Sequence, residues 1–243
     1  MMYKTSKAEF LKSQSLLTGL MERHQNDAAV PAWLALGKVI QMNQGWVGAD
    51  ASDVSKSAMQ LSNKASSLHA DSSFTSFVGG LVSCYFQNDF EKAEILYQTA
   101  IDLNPNEALA WLYKGVLHAF KGDGELAVQH TMRACELSPV DPYLHFYQSL
   151  TASAYLTAAN YERCIDMAKL SLKINAMHVS TRRVLTIAQV MAGHLEDAQV
   201  SATHLMLLDP TLSVSNYLSR IPGSQYGVGK KFAEALRIAG VPA

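Results

Sequence analysis

Apolar and polar positions follow a helical period along this chain, and the helical stretches recur. In segment 108–141, Trp111, Gly115, His118 and Ala119 share one face of a first helix. Ala127, Thr131 and Ala134, at spacings of four and three, form one stripe of a second. Gly122-Asp123-Gly124 separates the two, with Asp123 placed to cap the second helix. Gly115 lets a neighbouring helix approach closely. Pro139 ends the unit, because proline cannot continue a helix and biases the residue before it out of helical geometry. Segment 74–107 has the same plan: Phe77, Gly80 and Leu81, a turn at Gln87-Asn88-Asp89, then Ala93, Tyr97, Ala100 and a closing Pro105.

Three columns of positions make the recurrence explicit. The first is Ala58, Ala93, Ala127, Cys164 and Ala198; the second is Ala65, Ala100, Ala134, Ser171 and Leu205; the third is Ala70, Pro105, Pro139, Ala176 and Pro210. In each the steps are 35, 34, 37 and 34 residues. A period near 34 built from two amphipathic helices predicts a helical solenoid. The 37-residue step places three extra residues within roughly 142–157 and predicts a longer first helix there, with its second helix starting near Asn160-Tyr161. The next unit runs from about 179 to 210 and turns at Gly193-His194.

The ends are less regular. Trp33, Leu36 and Gly37 fit a first helix, followed by a long loop over 43–53, with Asp53 as cap of the next helix. Phe10, Leu16, Leu17, Leu20 and Met21 predict a capping helix over 6–23. Beyond Pro210 the pattern predicts a short helix over 211–220, a loop over 223–229 and a last helix over 230–239, ended by Gly240 and Pro242. The expected fold is all-α: a right-handed superhelix of about five helix-turn-helix repeats with capping helices. No linker divides it, so residues 1–243 read as a single domain: 1–29 an N-terminal cap, 30–210 the repeats, 211–243 C-terminal caps.

Composition narrows the function classes. Apolar residues make up 49% and charged residues 17%, enough for a real core and too apolar for disorder. Net charge is −1 with no Lys/Arg block, so the positive field that nucleic-acid binding needs is missing. Cys84, Cys135 and Cys164 form no C-x-x-C pair and read as buried thiols of a reducing compartment. The N-terminus has no signal-peptide core, and no run approaches the ~20 apolar residues of a membrane span. The expectation is a cytoplasmic, soluble protein.

Catalytic motifs are missing: no H-E-x-x-H, G-x-S-x-G or strand-linked G-x-G-x-x-G. The run GSQYGVGKK at 223–231 lacks the glycine spacing and the Ser/Thr of a phosphate loop. Eight histidines show no metal-ligand spacing, and His118 and His145 read as packing or surface residues. The chain therefore reads as non-catalytic, with no metal and no cofactor.

With Trp111, Gly115, Ala127, Ala134 and Pro139 at these separations, the chain resembles the tetratricopeptide repeat over roughly residues 30–210. Lys114, Leu205 and Ala176 depart from that pattern. A narrower resemblance lies in LNPNEALAWLYKGVLHAFKGDGELAVQH, the extension after SPVDP, Gly45-Trp46 and the ending FAEALRIAGVPA. These are similar to the C-terminal repeat regions of bacterial adenylate cyclases and winged-helix transcriptional activators. The resemblance implies a protein-interaction or regulatory domain of a bacterial signalling or transcription-control protein.

In the tetratricopeptide family the first helices line a concave surface. The inward set here is Val78, Val82, Tyr85, Leu112, Val116, Phe120, Leu156 and Val190. An apolar groove suits an amphipathic helix or apolar segment of a protein partner, a second copy of the chain among the candidates. The same residues suit the chain's own terminal helices or plain core packing. Trp46, in the long loop, is either a partner contact or a side chain folded back over the first repeat. The rival reading is a small-molecule sensor holding its ligand in the same groove.

Overall fold

The computed structural model describes residues 7–44, 46–47, 51–222, 224 and 227–243. Every regular element among them is helical. The chain forms two compact units, Met1–Ala110 and Trp111–Ala243, where the sequence suggested a single domain; the division falls inside a helix.

The first unit contains α1 (Lys7–Arg23), α2 (Ala29–Asn43), α3 (Ala51–Leu68), α4 (Ser73–Val82), a π-helical turn (Ser83–Gln87) and α5 (Phe90–Leu103). Helices α2 and α3 form one hairpin and α4 and α5 the next, while α1 packs on α2. Asp53 lies within the first turn of α3, beside Lys56, and so does not cap it. The division falls in α6 (Ala108–Lys121).

The second unit continues with α7 (Gly124–Leu137), α8 (Leu144–Thr157), α9 (Tyr161–Ile174), α10 (Val179–Met191), α11 (Leu195–Leu208), α12 (Val214–Arg220) and α13 (Gly227–Ile238). Helices α8 and α9, and α10 and α11, are hairpin partners.

The columns have a direct structural meaning. Ala58, Ala93, Ala127, Cys164 and Ala198 are wholly buried, and the second column is buried to within 1%. These are the positions where a second helix meets its partner, and the contact tolerates little volume. At Gly115 an added Cβ would lie 2.8 Å from the Ala127 carbonyl oxygen and 2.6 Å from Thr131 Cγ2.

A fourth column emerges at the hairpin turns. Asn88, Gly122, Ala159 and Gly193 all have positive φ, of 52°, 87°, 56° and 85°. A left-handed residue is a common way to end a helix, because it turns the next N–H back onto an orphan carbonyl. Here Asp123, Asn160 and His194 donate their N–H to the carbonyls of His118, Tyr155 and Gln189, five residues back. Asp89 reaches Ser83, six back, and the π-helical turn takes up the additional residue. The next side chain then starts the second helix. Asp89, Asp123 and Asn160 accept from the backbone N–H of Lys92, Leu126 and Arg163.

The 37-residue step is accommodated differently from the expectation. Helix α8 has 14 residues, as α6 does. The excess lies outside it: the segment before α8, 138–143, is six residues long against four in 175–178, and the turn after it, 158–160, is three against two in 122–123. The last helix also starts earlier than expected, at Gly227 and so within the segment read as a loop.

Candidate functional site

The predicted inward residues fall on the helices expected of them, but mostly in the core. In the first unit Val78 and Val82 lie on α4 and are 0% and 3% exposed. Tyr85, in the π-helical turn, is half-buried. Trp46 follows α2 and is also half-buried, its ring 5.1 Å from that of Phe10 on α1. It thus folds back over the start of the chain. In the second unit Leu112 and Val116 on α6 are 0% and 4% exposed. Phe120, one turn further along, is half-buried. Five aliphatic side chains of the predicted set, Leu156 of α8 at 3% among them, are therefore internal packing, while Val190 and the aromatic ones retain accessible surface.

Phe120 leads to a feature that periodicity did not single out. Within the second unit it lines a partly enclosed cavity of about 110 Å³, together with Leu156 of α8, Ile187 of α10, Tyr217 of α12 and Phe232 of α13. The chain's own terminal segment forms one wall. Helix α13 packs on α10 and α12, and Val228 approaches Gly122 at the α6–α7 turn. Leu212, Tyr217, Leu236 and Val241 join one continuous core with Leu156, Ile187 and Leu205. The segment is also tied by its backbone, since Val214 donates its N–H to the Pro242 carbonyl.

The sequence of α13 explains this seating. Val228, Phe232, Ala235 and Leu236 fall on one side, while Lys230, Lys231, Glu234 and Arg237 are exposed on the other. Lys231 Nζ lies 3.3 Å from the Tyr161 hydroxyl and 5.9 Å from the centre of its ring. The remaining polar group of note is Arg183 of α10, whose guanidinium carbon stands 5.5 Å from the Tyr217 ring centroid. Both residues line the cavity.

A second polar constellation is buried beside the α9–α10 junction. His178 Nδ1 and Thr181 Oγ1 are 2.6 Å apart, Thr181 Oγ1 is 3.0 Å from Ser171 Oγ, and Ser171 donates to the His145 carbonyl at 2.6 Å. The rings of His145 and His178 meet edge to face at 5.3 Å. Burial, reinforced by His145 and Arg183, drives the His178 pKa down to about 3, and burial lowers that of His145 too. Neutral imidazoles at ordinary pH make this a structural network. His118 is likewise buried, 3.8 Å from Asp123. Among the described residues no group of three or more His, Cys, Asp or Glu side chains is placed to hold a metal ion. Burial raises all three thiols, Cys164 to about 12. No helix among the described residues is long and apolar enough to cross a membrane.

Repeated hairpins with small residues at the crossings, four of them closed by a left-handed turn residue, define a helical-repeat fold of the tetratricopeptide type. Solved structures of the same fold include PilW, a widely conserved type IV pilus biogenesis factor, at 15% identity and a TM-score of 0.62, with 86% of each chain covered. PilF of Pseudomonas aeruginosa is similar at 14% identity and 0.59, covering 88% of this chain and 90% of that one. The Cut9–Hcn1 hetero-tetramer of the APC/C matches at 15% and 0.66, covering 92% of this chain and 43% of that one. No family model matches the sequence, and no curated protein does.

Proposed function

We propose that the chain is a non-catalytic interaction domain that recognises an amphipathic helix of a protein partner. One observation carries this reading: α13, apolar on one side and charged on the other, lies against α10 and closes a cavity with Phe120 and Leu156. A surface that accepts such a helix from its own chain presents what a partner's helix needs, namely aliphatic and aromatic anchors under a charged outer face. Phe120 and Leu156 are the contact residues of this mode in the second unit. Tyr85 and Trp46 are the corresponding candidates in the first, while Val78, Val82, Leu112 and Val116 are buried in the core. The similarity to repeat regions of bacterial cyclases and winged-helix activators favours a regulatory setting in signalling or transcription control. Three free thiols, Cys84 and Cys164 buried and Cys135 half-buried, favour a cytoplasmic one.

The test uses the full chain and a fluorescent peptide of residues 225–243. Phe232→Ala loosens the resident helix, so the peptide should bind that variant at least about tenfold more tightly than the unaltered chain, because the internal competitor is weakened. Adding Phe120→Asp should abolish this binding. A peptide that binds neither the unaltered chain nor Phe232→Ala, measured by fluorescence anisotropy, overturns the reading.

A further inference from the structure

We propose that the cavity beneath α13 is a binding site for a small uncharged molecule, one ring or a short alkyl chain bearing a single carbonyl or hydroxyl oxygen, to which Tyr217 donates. The inference goes beyond partner binding and does not depend on it. Protein interiors are close-packed, and few voids exceed the size of a water molecule. This one measures about 110 Å³.

Its wall is hydrocarbon interrupted by three hydroxyls. Phe120, Leu156, Ile187 and Phe232 supply the first; Ser153, Thr157 and Tyr217 carry the second. Two of the hydroxyls have committed their hydrogen to their own helix. Ser153 Oγ donates to the Ser149 carbonyl at 3.2 Å, and Thr157 Oγ1 to the Ser153 carbonyl at 3.2 Å. Tyr217 differs. It is 6% exposed, and its hydroxyl makes no hydrogen bond to a described residue. A buried tyrosine hydroxyl ordinarily finds a partner. Burial pushes its pKa up to about 12, so it keeps its proton at ordinary pH and remains a donor.

Arg183 sets the charge of the ligand by being engaged elsewhere. Its guanidinium carbon stands 5.5 Å from the Tyr217 ring centroid, and the side chain has a further interaction of its own. It steadies the ring from α10, and nothing more is asked of it. The hydroxyl that remains suits a neutral oxygen. A mostly apolar pocket with a few placed polar groups is the usual form of a small-molecule site.

Water fills such a space poorly. At about 30 Å³ each, about three molecules would fit, and each needs two to four polar partners. The wall's hydroxyls offer one uncommitted hydrogen. A ligand with one oxygen makes a single demand and meets the remaining wall with hydrocarbon. Size sets the upper limit: an engineered apolar cavity of about 150 Å³ takes up benzene, so a somewhat smaller one suits a compact ring or a short chain.

Cyclopentanone and cyclopentane, alike in shape but for the oxygen, serve as probes, titrated into the full chain by calorimetry and followed by thermal unfolding. Cyclopentanone should bind saturably and raise the unfolding temperature with concentration. Tyr217→Phe removes the hydroxyl and keeps the ring. It should weaken cyclopentanone at least about fivefold and change cyclopentane by less than about twofold, since only the ketone accepts a hydrogen bond. Ala119→Leu, which fills the cavity from α6, should eliminate both; Thr157→Leu fills it from α8 and serves where the first variant fails to fold. Absence of saturable cyclopentanone binding to the unaltered chain overturns the proposal. So does cyclopentanone binding that is unchanged in Tyr217→Phe, or lost there together with cyclopentane, or retained in a folded cavity-filled variant. The peptide assay reads the seating of α13 and these probes read the space beneath it, so the two readings fail separately.

Discussion

Ala159 occupies a position that its own chemistry disfavours. Its φ of 56° is left-handed, where a Cβ crowds the backbone at a cost of about 1–2 kcal/mol. The equivalent positions in the neighbouring turns hold Gly122 and Gly193. Ala159→Gly should therefore stabilise the protein by about 0.5–1 kcal/mol, the relief of strain exceeding the added freedom of the unfolded chain. The urea midpoint should rise accordingly. His178 makes a second demand, visible in acid. A histidine in the unfolded chain titrates near 6.5, whereas His178 in the folded chain stays neutral down to about 3. Between those values the unfolded state binds the extra proton. Stability is thus fully present above pH ~6.5 and falls as pH drops below it. From His178 alone the loss between pH 7.5 and 5 should be about 2 kcal/mol, and His145 pulls the same way. Urea titrations across that range should show the decline, and His178→Asn should flatten it.

At the scale of elements, hairpins meet through positions that leave no room for a side chain. A Cβ on Gly124, the first residue of α7, would stand 2.3 Å from the Ala158 Cα and 2.5 Å from its backbone N at the end of α8. Backbone cannot swing aside as a flexible side chain can. Gly124→Ala should therefore cost at least about 1–3 kcal/mol, read as a lower thermal midpoint. The hairpins were legible because their small, buried columns lie on the second helices and repeat with an unambiguous period. The same columns say nothing about where an insertion falls between them, and so the extra residues near Pro142 were assigned to α8 when the flanking loop and turn hold them. The start of α13 was hidden for a related reason. Gly227 and Gly229 read as breakers, yet Gly229 is buried in the helix, where an added Cβ would meet Ile221 at 3.1 Å and Ser224 at 3.3 Å.

At the scale of the whole molecule, the site was less legible than the fold. Apolar residues recurring on first helices identify a face that avoids water, and a packed core and an open groove share that signature. Val78, Val82, Leu112 and Val116 proved to be core, whereas Phe120 borders the cavity. Arg183 and Tyr217 carry no periodic mark, since a guanidinium over a ring is a tertiary pairing of separate helices. The terminal segment belongs to the second unit's core as fully as the hairpins do, with Leu236 and Leu205 both wholly excluded from solvent.

The buried thiols give this architecture a clock. Cys84 sits in the first unit and Cys164 in the second, 1% and 0% exposed, and burial raises both pKa values, so each is nearly inert while its surroundings stay closed. An alkylating reagent in solution modifies each sulfur only during the moments when its own helices part. The two modification rates, resolved by peptide mass, time the opening of one unit against the other without any introduced label.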